Sequence, residues 1–200
     1  MGIYAIKPVF RRLLSPLQRR LVASGVSADA LTLAGLGFAG AAGAGVWLGR
    51  GGGGWLLLVP LGAVLRIVAN ALDGMVATST GTARPLGEVL NEVSDRIGDV
   101  AVFLPMSLVP GVDAVLVAGA LAAMLVTSYL GLAVKAAGGP RLYDGVMGKP
   151  DRMFVVGVAA VVATVTGEPA TAWTWALWIV LVGALVTLLT RWRTARESLR

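Results

Sequence analysis

Five oxygen-bearing side chains fall at spacings that can build one site. Asn70 and Asp73 stand three residues apart, and Asn91, Asp95 and Asp99 follow one another at intervals of four. Residues three or four apart share a helix face, so each set forms a stripe. If the two helices pack antiparallel through a short turn, the stripes converge into a cage of carboxylate and amide oxygens. Such a cage suits one or two hard divalent cations, Mg²⁺ or Mn²⁺. The chain contains neither His nor Cys. Imidazole and thiolate chemistry are therefore excluded, and acid–base or metal chemistry must rest on carboxylates, amides and hydroxyls.

The elements that must position these residues are membrane helices. Of 200 residues 56% are hydrophobic and only 14% charged, against about 45–50% and about 25% in a soluble domain. The apolar residues fall in blocks near the roughly 20 residues that cross a bilayer. The reading is an all-α polytopic protein with six spans, at about 29–48, 55–78, 85–109, 112–136, 151–166 and 171–189. Ser27 or Asp29 is the expected N-cap of the first span, and Pro85 suits a first helical turn. Residues 1–23 mix Ile3, Tyr4, Ile6, Val9, Phe10, Leu13, Leu14, Leu17 and Leu21 with basic residues. They read as an amphipathic helix lying in the interface, broken in places by Pro8 and Pro16, rather than as a signal peptide. No repeat or linker divides the chain, so 1–200 reads as one domain with its six-helix bundle over 29–189.

Net charge is +6. The cations flank apolar blocks, which points to anionic headgroups or phosphate substrates and away from nucleic acid. One side of the membrane collects Lys7, Arg11, Arg12, Arg19, Arg20, Arg84, Lys135, Arg141, Lys149, Arg152, Arg191, Arg193, Arg196 and Arg200; the other has Arg50 with Asp113 and Glu168. The asymmetry puts both termini in the cytoplasm, in a bacterial inner or plasma membrane. Trp173, Trp175 and Trp178 read as interfacial anchors near the outer end of the sixth span.

Polar residues inside spans are functional candidates. They concentrate near the cytoplasmic ends of the second span (Arg66, Asn70, Asp73, Gly74) and the third (Glu88, Asn91, Glu92, Asp95, Arg96, Asp99). The competing reading is a structural network in which Arg66 and Arg96 pair with Asp73, Asp95 and Asp99. Lys149 and Arg152, at a helix start that already favours anions, could bind phosphate or could mark topology only, and Arg141 has the same two readings. Arg66, one turn before Asn70, lies too deep for snorkelling alone. The Arg191–Arg200 cluster is most simply topological. The outer halves of the spans carry almost no ionisable residues, which argues against a transporter.

The order Asn70-x2-Asp73-Gly74-x2-Ala77-Thr78-x8-Gly87-x3-Asn91-x3-Asp95 resembles the motif of the CDP-alcohol phosphotransferases, Asp-x2-Asp-Gly-x2-Ala-Arg-x8-Gly-x3-Asp-x3-Asp. The spacing matches throughout. The stretches 25–32 and 148–152 also resemble the family's entries to its first and fifth spans, so the resemblance covers nearly the whole chain. It implies transfer of a phosphoryl-alcohol group from a CDP-lipid or CDP-alcohol to an acceptor hydroxyl, with release of CMP, in a metal-dependent homodimer. It implies metal ligation by Asn70, Asp73, Asn91, Asp95 and the added Asp99, and proton abstraction by Asp95, or by Asp99. A nucleotide pocket at Asp73, Gly74, Ala77, Thr78 and Gly87 follows in the same way, with phosphate or substrate contacts from Arg66, Arg84, Arg141, Lys149 and Arg152.

Three motif positions depart. Asn70 and Asn91 replace carboxylates, removing two negative charges, and Thr78 replaces an Arg whose fork a hydroxyl cannot reproduce. Arg84 is the candidate for that missing cation, and Asp99 for one lost charge. A divergent branch with Asn-Ala-Leu-Asp-Gly and an Asn-Glu pair is similar to this chain. The alternative expectation is a catalytically impaired relative that binds CDP-lipid or scaffolds lipid synthesis.

Overall fold

The computed structural model describes residues 7–199, with side chains from Val9 onward. Ile3, Tyr4, Ile6 and Arg200 of the sequence reading lie outside the described residues. Among the described residues seven α-helices follow in order: α1 (Lys7–Ala23), α2 (Ala28–Leu48), α3 (Leu58–Thr80), α4 (Pro85–Phe103), α5 (Ala114–Ala136), α6 (Lys149–Thr166) and α7 (Pro169–Ser198). Short 3₁₀ turns precede α3 at Gly54–Leu57 and follow α4 at Leu104–Leu108. No strand occurs among the described residues.

Local chemistry sets the boundaries. Ser27 caps α2 by accepting from the Ala30 N–H at 3.2 Å, and Asp113 caps α5 by accepting from the Val115 N–H at 2.7 Å. Asp151 closes the start of α6 by accepting from the Gly148 N–H at 2.9 Å. Gly81 ends α3 at φ 67°, where a side chain would be strained, and its N–H returns to the Ala77 carbonyl. Pro105 falls inside the turn after α4. It cannot donate the next helical hydrogen bond, so the expected third span tightens into 3₁₀ geometry after Phe103 instead of staying α-helical to Val109. The expected sixth span runs on as helix to Ser198, because no Gly or Pro interrupts it after the bilayer ends. Pro16 does not break α1.

Among the described residues four segments are long and apolar enough to cross a membrane: Ala28–Leu48, Gly54–Thr80, Ala114–Ala136 and Pro169–Ser198. Helices α4 and α6 fall short of that measure because they carry the charged residues of interest, spread from Glu88 to Asp99 in α4 and gathered in the first turn of α6. Leu33, Leu61, Val64, Val115, Val165, Val182 and Leu189 face outward, as suits a lipid-facing surface.

Helix α2 is the spine. It packs along both α3 and α4, whereas those two barely touch along their backbones. Small residues let this happen. A Cβ on Gly43 would lie 2.0 Å from the Ala101 carbonyl oxygen of α4, and one on Gly62 would lie 2.6 Å from the Phe38 carbonyl oxygen of α2. The expected antiparallel pair therefore meets through its side chains, across a gap that α2 spaces. The apolar core, with Val46, Leu56, Phe103, Met106, Met124, Trp173 and Leu177 fully buried, occupies the other end of the bundle. On the polar end, α1 lays Leu14, Leu21 and Val22 against Leu31, Leu72 and Val76 and leaves Arg11, Arg12, Arg19 and Arg20 exposed.

Candidate active site

The gap between α3 and α4 is closed by side-chain hydrogen bonds at two levels. At the upper level the Asn91 amide donates to Asp73 Oδ2 at 2.8 Å, and the Thr32 hydroxyl of α2 donates to the same oxygen at 2.8 Å. At the next level the Asn70 amide donates to Asp95 Oδ1 at 2.8 Å. The Lys149 ammonium, at the start of α6, sits on that same oxygen. Arg66 donates to the Asp95 backbone carbonyl at 2.8 Å, and Arg96 lies 3.7 Å from Asp95 Oδ2. One turn deeper, Asp99 is sealed between Arg152 at 2.9 Å and Arg66 at 3.3 Å. The Asp95 side chain is 14% exposed and that of Asp99 1%, which separates a carboxylate at the edge of a cavity from one enclosed in a charge triad.

Two glycines make this geometry possible. A Cβ on Gly35 would stand 2.5 Å from Asn70 Oδ1, and one on Gly98 would stand 2.5 Å from the Arg66 guanidinium. Both leave room for a buried polar side chain rather than for a turn.

The network opens into a cavity of about 810 Å³, lined by Asn70, Asn91, Asp95, Arg141, Lys149 and Arg191 among others. Arg141 pairs with Glu92 and lies 3.9 Å from Glu88, which Lys135 also holds. Around this cavity Arg96, Arg141 and Arg152 each keep a buried Nε–H with no hydrogen-bond partner among the described residues. Buried donors of that kind call for an acceptor.

The structure thus joins Arg66, Asn70, Asp95, Asp99, Lys149 and Arg152 in one network, with Asp73, Asn91 and Thr32 forming a second group beside it across the same gap. It sets five other sequence candidates outside the cavity lining. Thr78 is exposed and spends its hydroxyl on the Gly74 carbonyl at 2.7 Å. Gly74 borders open space, Ala77 is half-buried on the same helix, and Gly87 lies beside Arg84 and Asp29. Arg84 is held by Asp29 on the surface.

Two residues join that the sequence reading passed over. Thr32 was visible as a hydroxyl inside an apolar span, but helices often satisfy a hydroxyl on their own carbonyls. Thr32 does contact the Ala28 carbonyl at 3.3 Å, besides donating to Asp73. Arg191, expected as topological, is instead buried, with Nε on the Asp144 carbonyl at 2.9 Å and a second donor on the Thr127 carbonyl at 2.8 Å. Nothing in its local sequence separates it from Arg193 and Arg196.

The donor set fits a hard divalent cation. Asn70, Asp73, Asn91 and Asp95 are all oxygen-bearing and already linked across one gap. A half-turn of either terminal amide exchanges its nitrogen for its oxygen.

The chain is similar to known proteins along most of its length. No protein-family model matches the chain. The inner membrane protein YnbA of Escherichia coli K12 is 33% identical over 192 residues, covering 96% of this chain and 92% of that protein. The phosphatidylinositol phosphate synthase of Mycolicibacterium smegmatis is 31% identical over 207 residues, covering 96% and 87%. Crystal structures of the Mycobacterium tuberculosis phosphatidylinositol phosphate synthase superpose with a TM-score of 0.72 at 25% identity. One, in complex with manganese and citrate, covers 92% of this chain and 88% of that one. Another, with CDP-DAG bound, covers 92% and 94%, again at 0.72. An end-to-end match at this identity, on a motif with matching spacing, shows that this integral membrane protein belongs to the CDP-alcohol phosphotransferase family.

Proposed function

We propose that the chain transfers a phosphatidyl-type group from a CDP-lipid such as CDP-diacylglycerol to an acceptor alcohol, releasing CMP, as a step of phospholipid synthesis. The observation that carries this reading is the pair of cross-gap bridges, Asn91 to Asp73 and Asn70 to Asp95, at the edge of a cation-lined cavity. Asp73, with Asn70 and Asn91, would hold Mg²⁺ or Mn²⁺ beside Asp95. When bound, the cation supplies charge neutralisation on the donor diphosphate.

The chain's own residues supply the rest. The unpartnered Nε–H groups of Arg96 and Arg152 face an anion, and Lys149 adds a mobile ammonium beside them. The acceptor oxygen attacks the phosphorus that carries the lipid, the bond from that phosphorus to CMP breaks, and CMP leaves with the bond's electron pair. Asp95 takes the hydroxyl proton: it lines the cavity, whereas Asp99 is enclosed by two guanidinium groups. Asp99 holds Arg66 and Arg152 in place and so positions Asp95 and Lys149 one turn away. Gly74, Ala77, Thr78 and Gly87 form the nucleotide side of the site, where Gly74 leaves open space. Arg84 is a surface cation beside them, and Arg141 serves the acceptor side of the cavity.

The finer architecture belongs to the same reading. All of α2 to α7 span the bilayer, α4 and α6 shielding their charges inside the bundle, and α1 lies in the interface. The site and both termini face the cytoplasm, where the Lys and Arg residues gather. Residues 1–200 form one domain, and two copies assemble as a dimer.

The reaction is tested with purified protein, CDP-diacylglycerol and a panel of alcohols. Divalent-dependent CMP release is expected. Asp95→Asn is expected to fold and to lower the rate by about 10²–10⁴-fold. No release from the native chain with any donor and acceptor, or equal rates for native chain and variant, would overturn the assignment. Nucleotide-dependent thermal stabilisation without turnover would favour a non-catalytic relative.

A further inference from the structure

The two carboxylates that bridge the gap are not equivalent. Asp73 receives neutral donors, the Thr32 hydroxyl, the Asn91 amide and the Gly74 backbone N–H, and has no salt bridge among the described residues, although the Lys149 charge is felt there at longer range. Asp95 is crowded by cations: the Lys149 ammonium on Oδ1, Arg66 at 3.9 Å from Oδ1, and Arg96 at 3.7 Å from Oδ2. The third carboxylate, Asp99, is already balanced by Arg66 and Arg152. With amides at 70 and 91, the bridging set carries two negative charges, and one of them has a side-chain countercharge in contact. A divalent cation placed on Asp95 would stand against that ammonium, and like charges at contact distance repel strongly. Asp73 has no ammonium or guanidinium in contact, and the amide of Asn91 already reaches it.

We propose that the site takes one divalent cation, on Asp73 with Asn70 and Asn91, and that Lys149 supplies the second positive charge for the donor diphosphate from its seat on Asp95. Lys149 is then a built-in replacement for a second metal ion, matched to the two amides that lower the site's negative charge. The inference rests on the proposed transferase reading for the identity of the diphosphate, but the metal count is measurable without turnover.

The experiment is a Mn²⁺ titration of the full-length protein in nanodiscs, followed by electron paramagnetic resonance, with and without CDP-diacylglycerol. The native chain is expected to bind one Mn²⁺. Asp73→Asn is expected to abolish that binding. Lys149→Gln is expected to admit a second Mn²⁺ or to tighten binding by at least about tenfold, since it removes a repelling charge. Two Mn²⁺ or none on the native chain would overturn the proposal, as would unchanged Mn²⁺ affinity in a folded Lys149→Gln protein. The native-chain count decides the matter even if that variant fails to fold. CMP release is followed in the same preparation. One Mn²⁺ without release overturns the transferase reading and leaves this inference standing, whereas release with two Mn²⁺ overturns this inference alone.

Discussion

Asp95 and Asp99 lie one helical turn apart on the same face of α4, yet their surroundings differ in kind. Asp95 borders the cavity and keeps contact with the Asn70 amide and the Lys149 ammonium. Asp99 is enclosed between Arg66 and Arg152 and never reaches the cavity. Depth along a helix, over little more than five ångströms of rise, turns a carboxylate that can exchange protons and partners into one that holds three helices together. The pair shows that a polar stripe on one helix need not be uniform: its open end borders a cavity and its sealed end is locked between guanidinium groups.

The sharpest way to break this comparison is to neutralise each carboxylate in turn and measure unfolding. Asp99→Asn leaves two buried guanidinium groups facing an amide and is expected to destabilise the fold by about 3–5 kcal/mol. Asp95→Asn, at the cavity edge where Lys149 and Arg96 keep some access to solvent, is expected to cost less stability than Asp99→Asn while losing activity. Equal unfolding losses in the two variants would erase the distinction. A smaller effect is expected from Gly98→Ala. Its Cβ would stand 2.5 Å from the Arg66 guanidinium, and displacing that group is expected to lower stability by about 1–3 kcal/mol and to slow CMP release with it. If Gly98→Ala unfolds like the native chain, Arg66 has another place to go and the triad is looser than described. The smallest effect belongs to Thr32→Val, which removes one donor from Asp73 without changing shape. A loss of about 1 kcal/mol is expected, read as a shift in the thermal unfolding midpoint, and a loss above 3 kcal/mol would make Thr32 a structural anchor instead.

The motif spacing was enough to mark Asn70, Asp73, Asn91 and Asp95 as one site, because helical periodicity alone puts them on facing stripes. It could not rank Asp95 against Asp99, since both occupy equivalent positions on α4 and differ only in what α3 and α6 bring beside them. It also could not find Arg191, which shares its local pattern with Arg193 and Arg196 and is distinguished only by where α7 crosses the loop before α6. Thr32 was hidden for the same reason: its partner lies 41 residues away.

By itself the sequence determined that the chain is helical, that it lives in a membrane, and that its oxygen chemistry sits at one end of two spans. Those properties follow from composition, the length of apolar runs and the period of the helix, all of which are local. Only the tertiary structure decided that α2 holds α3 and α4 apart, that amides bridge the gap, and that Lys149 sits on Asp95 while Asp73 is met by a hydroxyl and an amide. These outcomes depend on which side chains meet from distant segments, and glycines such as Gly35, Gly43, Gly62 and Gly98 set those meetings by how closely they let neighbouring helices and polar side chains approach.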